Sequence, residues 1–470
     1  MQCLARTVKP LSKPRQATNL RDNPRYDQFM RFSDQMPLHF QDALPDRSAV
    51  VVIGAGIIGM ATAWFLARHG IEALVLDKGR VAGEQSSRNW GWVRQTGRDD
   101  AEYPIMMESI KHWDGLAHAL GEDVGFQRGG VLFLAANETE AEAFDPILAR
   151  SRQHGVDTER LSQAALEQLL DGRPGQWHSA LYTASDGRAE PWLAVPALAR
   201  GAQRLGVKIR ERCAVRGLER SAGRVSGVIT EQGRIGCDTV VCASGVWSSL
   251  LLRQEGIDLP QLAVKNTVAR TTPGPAVFSG AATGDDIAIR RRADGGYTLA
   301  LCDELEHFIG RDSLRFMAPF LPALRKSRAH MQLRWKDLGE RLRTPRWQLD
   351  QVSPFERNRV WNPEPSQASL QRMTRLLADR YPRLAGLKLA DSWAGMIDAT
   401  PDAVPVMDRA AAVPGLLVAT GFSGHGFGIG LGAGRIVADL VRGAAPGHDL
   451  HRFRLSRFKD GSRLELGPWI

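Results

Sequence analysis

Apolar and polar residues follow two different periods along this chain, and the switches between them mark its elements. From Ala49 to Ile53 the run is apolar without a break, as in a strand buried on both faces. Glycines follow at Gly54, Gly56 and Gly59, and Ile57 to His69 then has helical composition, stopping at Gly70. A second strand, IEALVLD, ends at Asp77. The stretch from Val207 to Gly245 reads as short strands, VKIR, CAVRGLE and VSGVITEQGRI, and then DTVVCASG, with Gly245 closing a strand before an apolar helix. GLLVATG (415–421) repeats that strand-then-glycine pattern and leads through GHGFGIGLGAGR into the helix RIVADLV. Between these blocks lie the amphipathic LSQAALEQLL, the apolar strand GGVLFLA and the stretch IAIRRRADGGYTLAL, where Asp294-Gly295-Gly296 is a hairpin signal.

The spacing of the first three glycines has a physical reading. Gly54 allows the tight turn out of the strand, Gly56 lacks the Cβ that would block a pyrophosphate, and Gly59 lets the helix pack closely on the sheet. The helix N-terminus then offers free N–H groups and its positive dipole end to the phosphates. Asp77, 18 residues past Gly59, stands where a dinucleotide fold places the carboxylate that holds an adenosine ribose.

Charge and cysteine content narrow the partners. The 61 basic and 52 acidic residues leave a net charge of +9, but the basic residues form no run of five or more, and nucleic-acid binding is not expected. No apolar run approaches the ~20 residues that cross a bilayer. Cys3, Cys213, Cys237, Cys242 and Cys302 form no CxxC and read as inert thiols of a reducing, cytoplasmic setting. No cluster has metal-ligand spacing. Residues 1–48 carry Arg6, Lys9, Lys13 and Arg15 before the first acid, Asp22, and read as a basic, loosely docked arm. Contact of that arm with anionic lipid at the inner membrane face is the alternative.

Five separated motifs, in order, resemble the flavin-dependent D-amino-acid oxidase superfamily, and among its members the L-amino-acid deaminases through AGEQSSR and SPFE. They are GAGIIG (54–59), AGEQSSRNWGWVRQ (82–95), DGRAEPWLAVPAL (186–198), VVCASGVWS (240–248), and WAGMIDATPD (393–402) with ATGFSGHGFGIG (419–430). The resemblance implies an α/β fold in which a Rossmann-like FAD-binding domain carries a second, α+β substrate domain built on an antiparallel sheet. Residues 49–99, 184–261 and 390–458 are expected in the first and 100–183 and 262–389 in the second, with 459–470 as a tail.

It also implies FAD, and a set of residues around it. Gly54, Gly56, Ile57, Ile58 and Gly59 would hold the pyrophosphate, Asp77 and Lys78 the ribose, and Val215 would flank the adenine. Ser86, Ser87, Arg88 and Asn89 would run beside the flavin ring. Gly424, His425, Gly426, Phe427 and Gly428 would lie near its pyrimidine edge, with Ala243, Gly245, Trp247, Trp393 and Gly395 completing the cofactor set. Gly395 stands where sarcosine oxidases carry a flavin-linked cysteine, so the FAD is expected to be non-covalent.

The implied chemistry is oxidation of the Cα–N bond of a free α-amino acid by hydride transfer to flavin N5, giving an imino acid that hydrolyses to a 2-oxo acid and ammonia. Orientation is then the main task, and an arginine fork is the preferred carboxylate clamp. Arg290, on a strand that resembles the carboxylate-binding strand of the deaminases, is the first candidate, with Arg88 and Arg94 next. Trp90 and Trp92 would share one face of an extended segment and wall an apolar pocket, with Trp393 and Phe427 framing the flavin. His425 reads as a base or, more in keeping with the chemistry, as a structural or electrostatic group. The lysine that assists oxygen reduction in sarcosine oxidases is replaced near Thr298, leaving O2 or a quinone or other carrier as acceptor. A secondary amino acid as substrate, or a non-catalytic flavin-binding assembly or electron-transfer subunit, are the alternatives, and the oligomeric state stays open.

Overall fold

The structure, a computed structural model, describes residues 37–343 and 345–467. A six-stranded sheet runs in the order Val406–Arg409, Leu416–Thr420, Thr239–Cys242, Val50–Ile53, Ala73–Leu76, Lys208–Arg210, and only the first of these is antiparallel to its neighbour. Val50–Ile53 is buried along its whole length: helices, Ile57–Arg68 among them, cover one face, and a three-stranded antiparallel sheet of Val215–Ser221, Arg224–Thr230 and Gly233–Gly236 with the helix Ser248–Gln254 covers the other. The chain leaves it first toward Ala73–Leu76 and later returns on its other side as Thr239–Cys242, so a topological switch point opens at its carboxyl end.

Helix Ile57–Arg68 buries ten of its twelve residues, more than a surface helix would. The cause lies in the glycine-rich helix Gly426–Arg442: a Cβ at Gly434 would stand 2.4 Å from that of Ala61, and one at Gly430 2.6 Å from Ile57 Cγ1. Small residues let the two helices meet nearly backbone to backbone.

The second layer is a ten-stranded, mostly antiparallel sheet. Its longest element, Leu389–Ala399, pairs antiparallel with Leu262–Thr271 from Ala399↔Leu262 to Leu389↔Thr271, and its carboxyl half enters the space between the two layers. Ile287–Arg291 and Tyr297–Leu301 form the hairpin around Asp294-Gly295-Gly296.

Two segments depart from the expected partition. Trp347 and Phe355, placed with the substrate domain by sequence, pack in the core beneath the six-stranded sheet with Val215 and Leu251. Arg216 clamps Glu356 at 2.9 and 2.8 Å there, and Trp347 donates to the Arg216 carbonyl at 2.8 Å. Residues 37–48 of the basic arm are docked along the sheet edge: Phe40 is buried, and Glu211 accepts from the backbone N–H of His39 and Phe40. The arm's basic residues Arg6, Lys9, Lys13 and Arg15 lie outside the described residues.

The layers are stitched by a small sheet of Trp92–Val93, Gly187–Arg188 and Gln127–Arg128. At its edge Asp186 Oδ1 accepts from the Gln95 backbone N–H at 2.7 Å and from Gln95 Nε2 at 3.2 Å, while Oδ2 is buried with no hydrogen-bond partner. Burial pushes this carboxyl up to about 7, because the charged form loses more solvation than Gln95 returns. An unfolded aspartate titrates near ~3.9. Between that value and about 7 the folded chain binds the extra proton, so Asp186 costs stability as pH rises through this window. Asp186→Asn should therefore stabilise the protein more at pH 8 than at pH 4.5, by on the order of 2 kcal/mol, read as a larger gain in Tm at the higher pH. An equal change at both pH values would show that Asp186 does not titrate there.

Candidate active site

At the switch point lies a cleft with about 1210 Å³ of open space. Gly54, at φ +107°, turns the chain out of its strand, and a Cβ there would stand 2.4 Å from the Ala243 carbonyl oxygen. Gly56 faces Ser86 Oγ, which would lie 2.9 Å from an added Cβ and accepts from the Ile57 N–H at 2.9 Å. A hydroxyl that accepts at the helix N-terminus keeps its own hydrogen to donate onward. Gly59 does not line the cleft; a Cβ there would be 2.0 Å from the Gly54 carbonyl oxygen, so it sets the packing of the turn.

Asp77 closes one end. Its carboxylate accepts from the N–H of Ala55 at 2.8 Å and of Gly79 at 2.7 Å, and burial still holds its pKa above the usual range. Ile57, Ile58, Lys78, Ser86, Asn89, Val215, Ala243, Gly245, Trp247, Gly424, Gly426 and Phe427 line the same cleft. At the other end the helix Gly426–Arg442 points its N-terminus inward with no acidic residue in its first turn, a positive dipole end facing the space.

Glu84, Phe355, Arg359 and Asp398 also line the cleft and were absent from the sequence-derived set, and Glu84 fixes the expected Lys78. Lys78 Nζ is held by Glu84 Oε1 at 2.6 Å and by the carbonyls of Asn358 and Arg359, 4.3 Å above the Trp247 ring. Glu84 also accepts from Trp247 Nε1 at 2.9 Å and from the Trp361 N–H at 2.9 Å. Phe355 and Arg359 reach the cleft from the SPFERNRVWNPEP passage, whose resemblance was noted but whose position was assigned elsewhere. Asp398 lines it too, accepting from the Gly421 N–H at 2.8 Å, with its pKa raised by burial. Alternation along Leu389–Ala399 was the available signal: Met396 and Asp398 face the cleft and Gly395 does not.

Several expected ligands have other work. Ser87 donates to the carbonyls of Ala82 and Glu84 within its own loop. Arg88 is buried, donating to Asn362 Oδ1 at 2.9 Å and to the carbonyls of Ala394 and Gly83 at 3.0 Å, with burial lowering its pKa to about 10. Trp393 donates to the Arg88 carbonyl at 2.9 Å. Gly395 leaves room for Gln85, whose Oε1 would be 2.3 Å from an added Cβ. The Gly428 carbonyl accepts from Ser109 and Trp113. His425 Nε2 sits 2.9 Å from Glu102 Oε1, and the residue does not line the cleft. Burial raises the Glu102 carboxyl, but His425 and then Arg98 outweigh it and hold the pKa below the usual range. Of the two readings of His425, the hydrogen bond to the buried Glu102 carboxyl supports the favoured, structural one over that of a base.

The arginine candidates separate by their partners. Arg290 is fully buried, and Nη1 and Nη2 donate to Glu190 Oε1 and Oε2 at 3.0 and 3.1 Å, Nη2 also to Thr298 Oγ1 at 3.0 Å. Its fork is filled by the protein's own carboxylate, so Arg290 as substrate clamp or catalytic group is corrected to a structural ion pair. Arg292 shares its face, 4.1 Å above the Trp192 ring, while Arg291 turns to the other face and Tyr297, as a period of two requires.

Arg94 differs. It follows Trp90 and Trp92 on one extended segment, stands 5.8 Å from the Phe133 ring, and donates to the carbonyls of Thr96 and Gly97. No carboxylate lies within ion-pair distance of it among the described residues, and burial, with Arg98 adding to it, lowers its pKa to about 10. Trp90 and Trp92 meet edge to face at 5.7 Å, and Trp92 meets Phe133 at 6.4 Å.

The cleft fits a flavin dinucleotide on its own geometry. The glycine cradle would be filled by any Cβ, two helix N-termini face the space, and Gln85 Oε1, on the cleft wall, is buried without a partner. Gly54, Gly56 and Ser86 would hold the pyrophosphate and Asp77 the ribose.

Comparison with known proteins agrees. L-amino acid deaminase from Proteus myxofaciens, solved in complex with anthranilate, superposes with a TM-score of 0.86 at 29% identity, covering 90% of this chain and 96% of that one. Sarcosine oxidase subunit beta of Rhodobacter capsulatus is 24% identical over 88% of this chain and 91% of its own length. Glycine oxidase of Bacillus subtilis is 24% identical over 87% and 96%. The family described as DAO, FAD dependent oxidoreductase, matches residues 49–440. A match of that extent, over a cleft shaped for the dinucleotide, places the chain in the DAO family of FAD-dependent oxidoreductases.

Proposed function

We propose that this oxidoreductase removes two electrons from the Cα–N bond of a free α-amino acid whose carboxylate is held by Arg94, and that the resulting imino acid hydrolyses to a 2-oxo acid and ammonia. The observation that carries the reading is the accounting of arginines. Arg88 is occupied by Asn362 and two carbonyls and Arg290 by Glu190, whereas Arg94, whose charge burial disfavours, donates only to two carbonyls of its own loop, with Asp186 and Glu102 near it but not in ion-pair contact. A carboxylate docking there would relieve that cost and gain a bidentate, charge-assisted pair. Trp90 and Trp92 would wall the side-chain pocket next to it.

FAD, when bound, supplies the electron acceptor. The chain's own residues orient the substrate and shape the cofactor's surroundings: the N-terminus of Gly426–Arg442 stabilises negative charge at the inner end of the cleft, and Lys78, fixed by Glu84, faces its wall. Cofactor retention is non-covalent in this reading. Cys213, Cys237, Cys242 and Cys302 are reduced and none lines the cleft.

Four measurements test this reading. Anaerobic mixing of the yellow protein with D- and L-amino acids and their N-methyl analogues should bleach the flavin with one stereochemical set of primary amines. Bleaching by N-methyl compounds alone would transfer the reading to secondary amines, and bleaching by none would leave an electron-transfer role. Repetition in air with and without a quinone analogue reads the acceptor. Arg94→Ala should raise KM about 10- to 100-fold, the loss of one charged hydrogen-bonded pair, with an unchanged flavin spectrum. An unaltered KM removes Arg94 from the site. Acid precipitation should release the flavin into the supernatant, and a yellow pellet would contradict the non-covalent reading.

A further inference from the structure

At its Asp77 end the cofactor cleft is walled by a segment from far along the chain. Phe355 and Arg359 line the cleft together with Asp77, Lys78 and Val215. The Arg359 carbonyl oxygen lies 2.1 Å from where a Cβ on Gly79 would stand, so the segment rests directly on the loop that follows Asp77. After it the chain runs on to the helix Gln367–Arg380 over the large sheet.

The segment is held in two different ways. Its apolar anchor is at one end, where Phe355 is buried against Trp347 and Trp247, with ring centroids 5.4 and 5.9 Å apart. From Glu356 to Ala368 no residue is buried, and residues 361–366 have no regular secondary structure. What fixes this stretch is polar. Lys78 Nζ donates to the carbonyls of Asn358 and Arg359 at 2.9 and 3.0 Å, and Arg359 donates to both carboxylate oxygens of Glu231. Glu84 accepts from the Trp361 N–H at 2.9 Å, and Asn362 Oδ1 accepts from Arg88 at 2.9 Å. The far end is tied to the large sheet, where Lys265 donates to the Glu364 carbonyl at 3.2 Å and Thr267 Oγ1 accepts from the Ser366 N–H at 3.0 Å. Pro354, Pro363 and Pro365 stiffen the two flanks.

Hydrogen bonds and ion pairs near the surface are exchanged for contacts with water at small net cost, whereas a buried apolar face is not. Stretches with few buried apolar contacts therefore open before the core does. Residues 356–362 are such a stretch, fixed at both ends and set into the wall of the cleft. A dinucleotide held at Gly54, Gly56 and Asp77 would share the cleft with Phe355 and Arg359, and so would favour the closed position.

We propose that residues 356–362 are a hinged strap that opens to admit FAD and, once closed over the Asp77 end, sets the rate at which it leaves. The inference rests on FAD being held non-covalently, which acid release tests separately.

Full-length holoprotein would be mixed with excess radiolabelled FAD to read the release rate, while hydrogen exchange is followed in peptides covering 353–366. In the unaltered protein the strap should exchange faster than Val50–Ile53, and faster still once FAD is stripped. Gly79→Ala would press a Cβ against the Arg359 carbonyl, and Glu231→Gln would take the charge from the Arg359 clamp. Neither residue lines the cleft, so neither change removes a cofactor contact. Each should speed FAD release about tenfold or more, together with exchange of the strap, while Ile57–Arg68 keeps its protection and so confirms folding. A strap opens both ways, so FAD should also rebind faster to the stripped variants than to the stripped parent. Release unchanged while the strap exchanges faster, release speeded without any change in the strap, or slower rebinding would overturn the proposal. So would a strap as protected as Val50–Ile53 with and without FAD, which would make it a fixed wall.

Discussion

A Cβ on Gly59 would lie 2.0 Å from the Gly54 carbonyl oxygen, and one on Gly54 2.4 Å from that of Ala243. This close meeting of strand end, turn and helix start is the constraint on which the cleft depends. It lets the helix Ile57–Arg68 begin at the carboxyl end of the central strand, so that its N-terminus faces a hollow that the switch in strand direction leaves open. The packing of the second glycine-rich helix against the first, through Gly430 and Gly434, then brings another helix N-terminus to the same hollow. Backbone dipoles from two helix starts converge where a pyrophosphate and an electron-accepting ring need them.

Buried charge is handled differently on the two sides of this cleft. Arg290 and Glu190, both fully buried, neutralise one another with matched forks, and Glu102 with His425 and Arg98 does the same under the closing helix. Such pairs are costly to break and rigid when intact. Arg94 and Asp186, beside the small sheet that joins the two layers, make no direct ion pair among the described residues, although each still favours the other's charge. A half-buried cation with no carboxylate in ion-pair contact and a buried acid pushed to about 7 mark the part of the interior that packing satisfies least.

The cofactor end was readable because it is local. Gly54, Gly56, Asp77 and Ser86 lie within 33 residues, and their spacing encodes the turn and the carboxylate beside it directly. The substrate side was not. Arg290 stood on the expected strand, yet its role depends on Glu190, a hundred residues earlier and carried in by a different helix start. His425 sits in a recognisable glycine motif, but Glu102, which fixes its ring, belongs to another segment. Phe355 and Arg359 belonged to a passage whose chemistry was noticed but whose place was not, since Trp347 and Glu356 draw it back onto the nucleotide domain through contacts with Arg216.

Sequence alone determined the strand-glycine-helix turn, the Asp77 carboxylate that closes it and the family, since the turn rests on steric limits and dipoles that act between neighbours in the chain and the family on motifs local in sequence. It also determined that arginines and indoles were available for an amino-acid site. Tertiary structure decided that Arg290 is committed to Glu190, that His425 is bound to Glu102, and that residues 345–362 complete the cofactor wall. Those outcomes depend on which distant carboxylate is buried beside which cation, and burial and pairing are settled only when separate segments pack together.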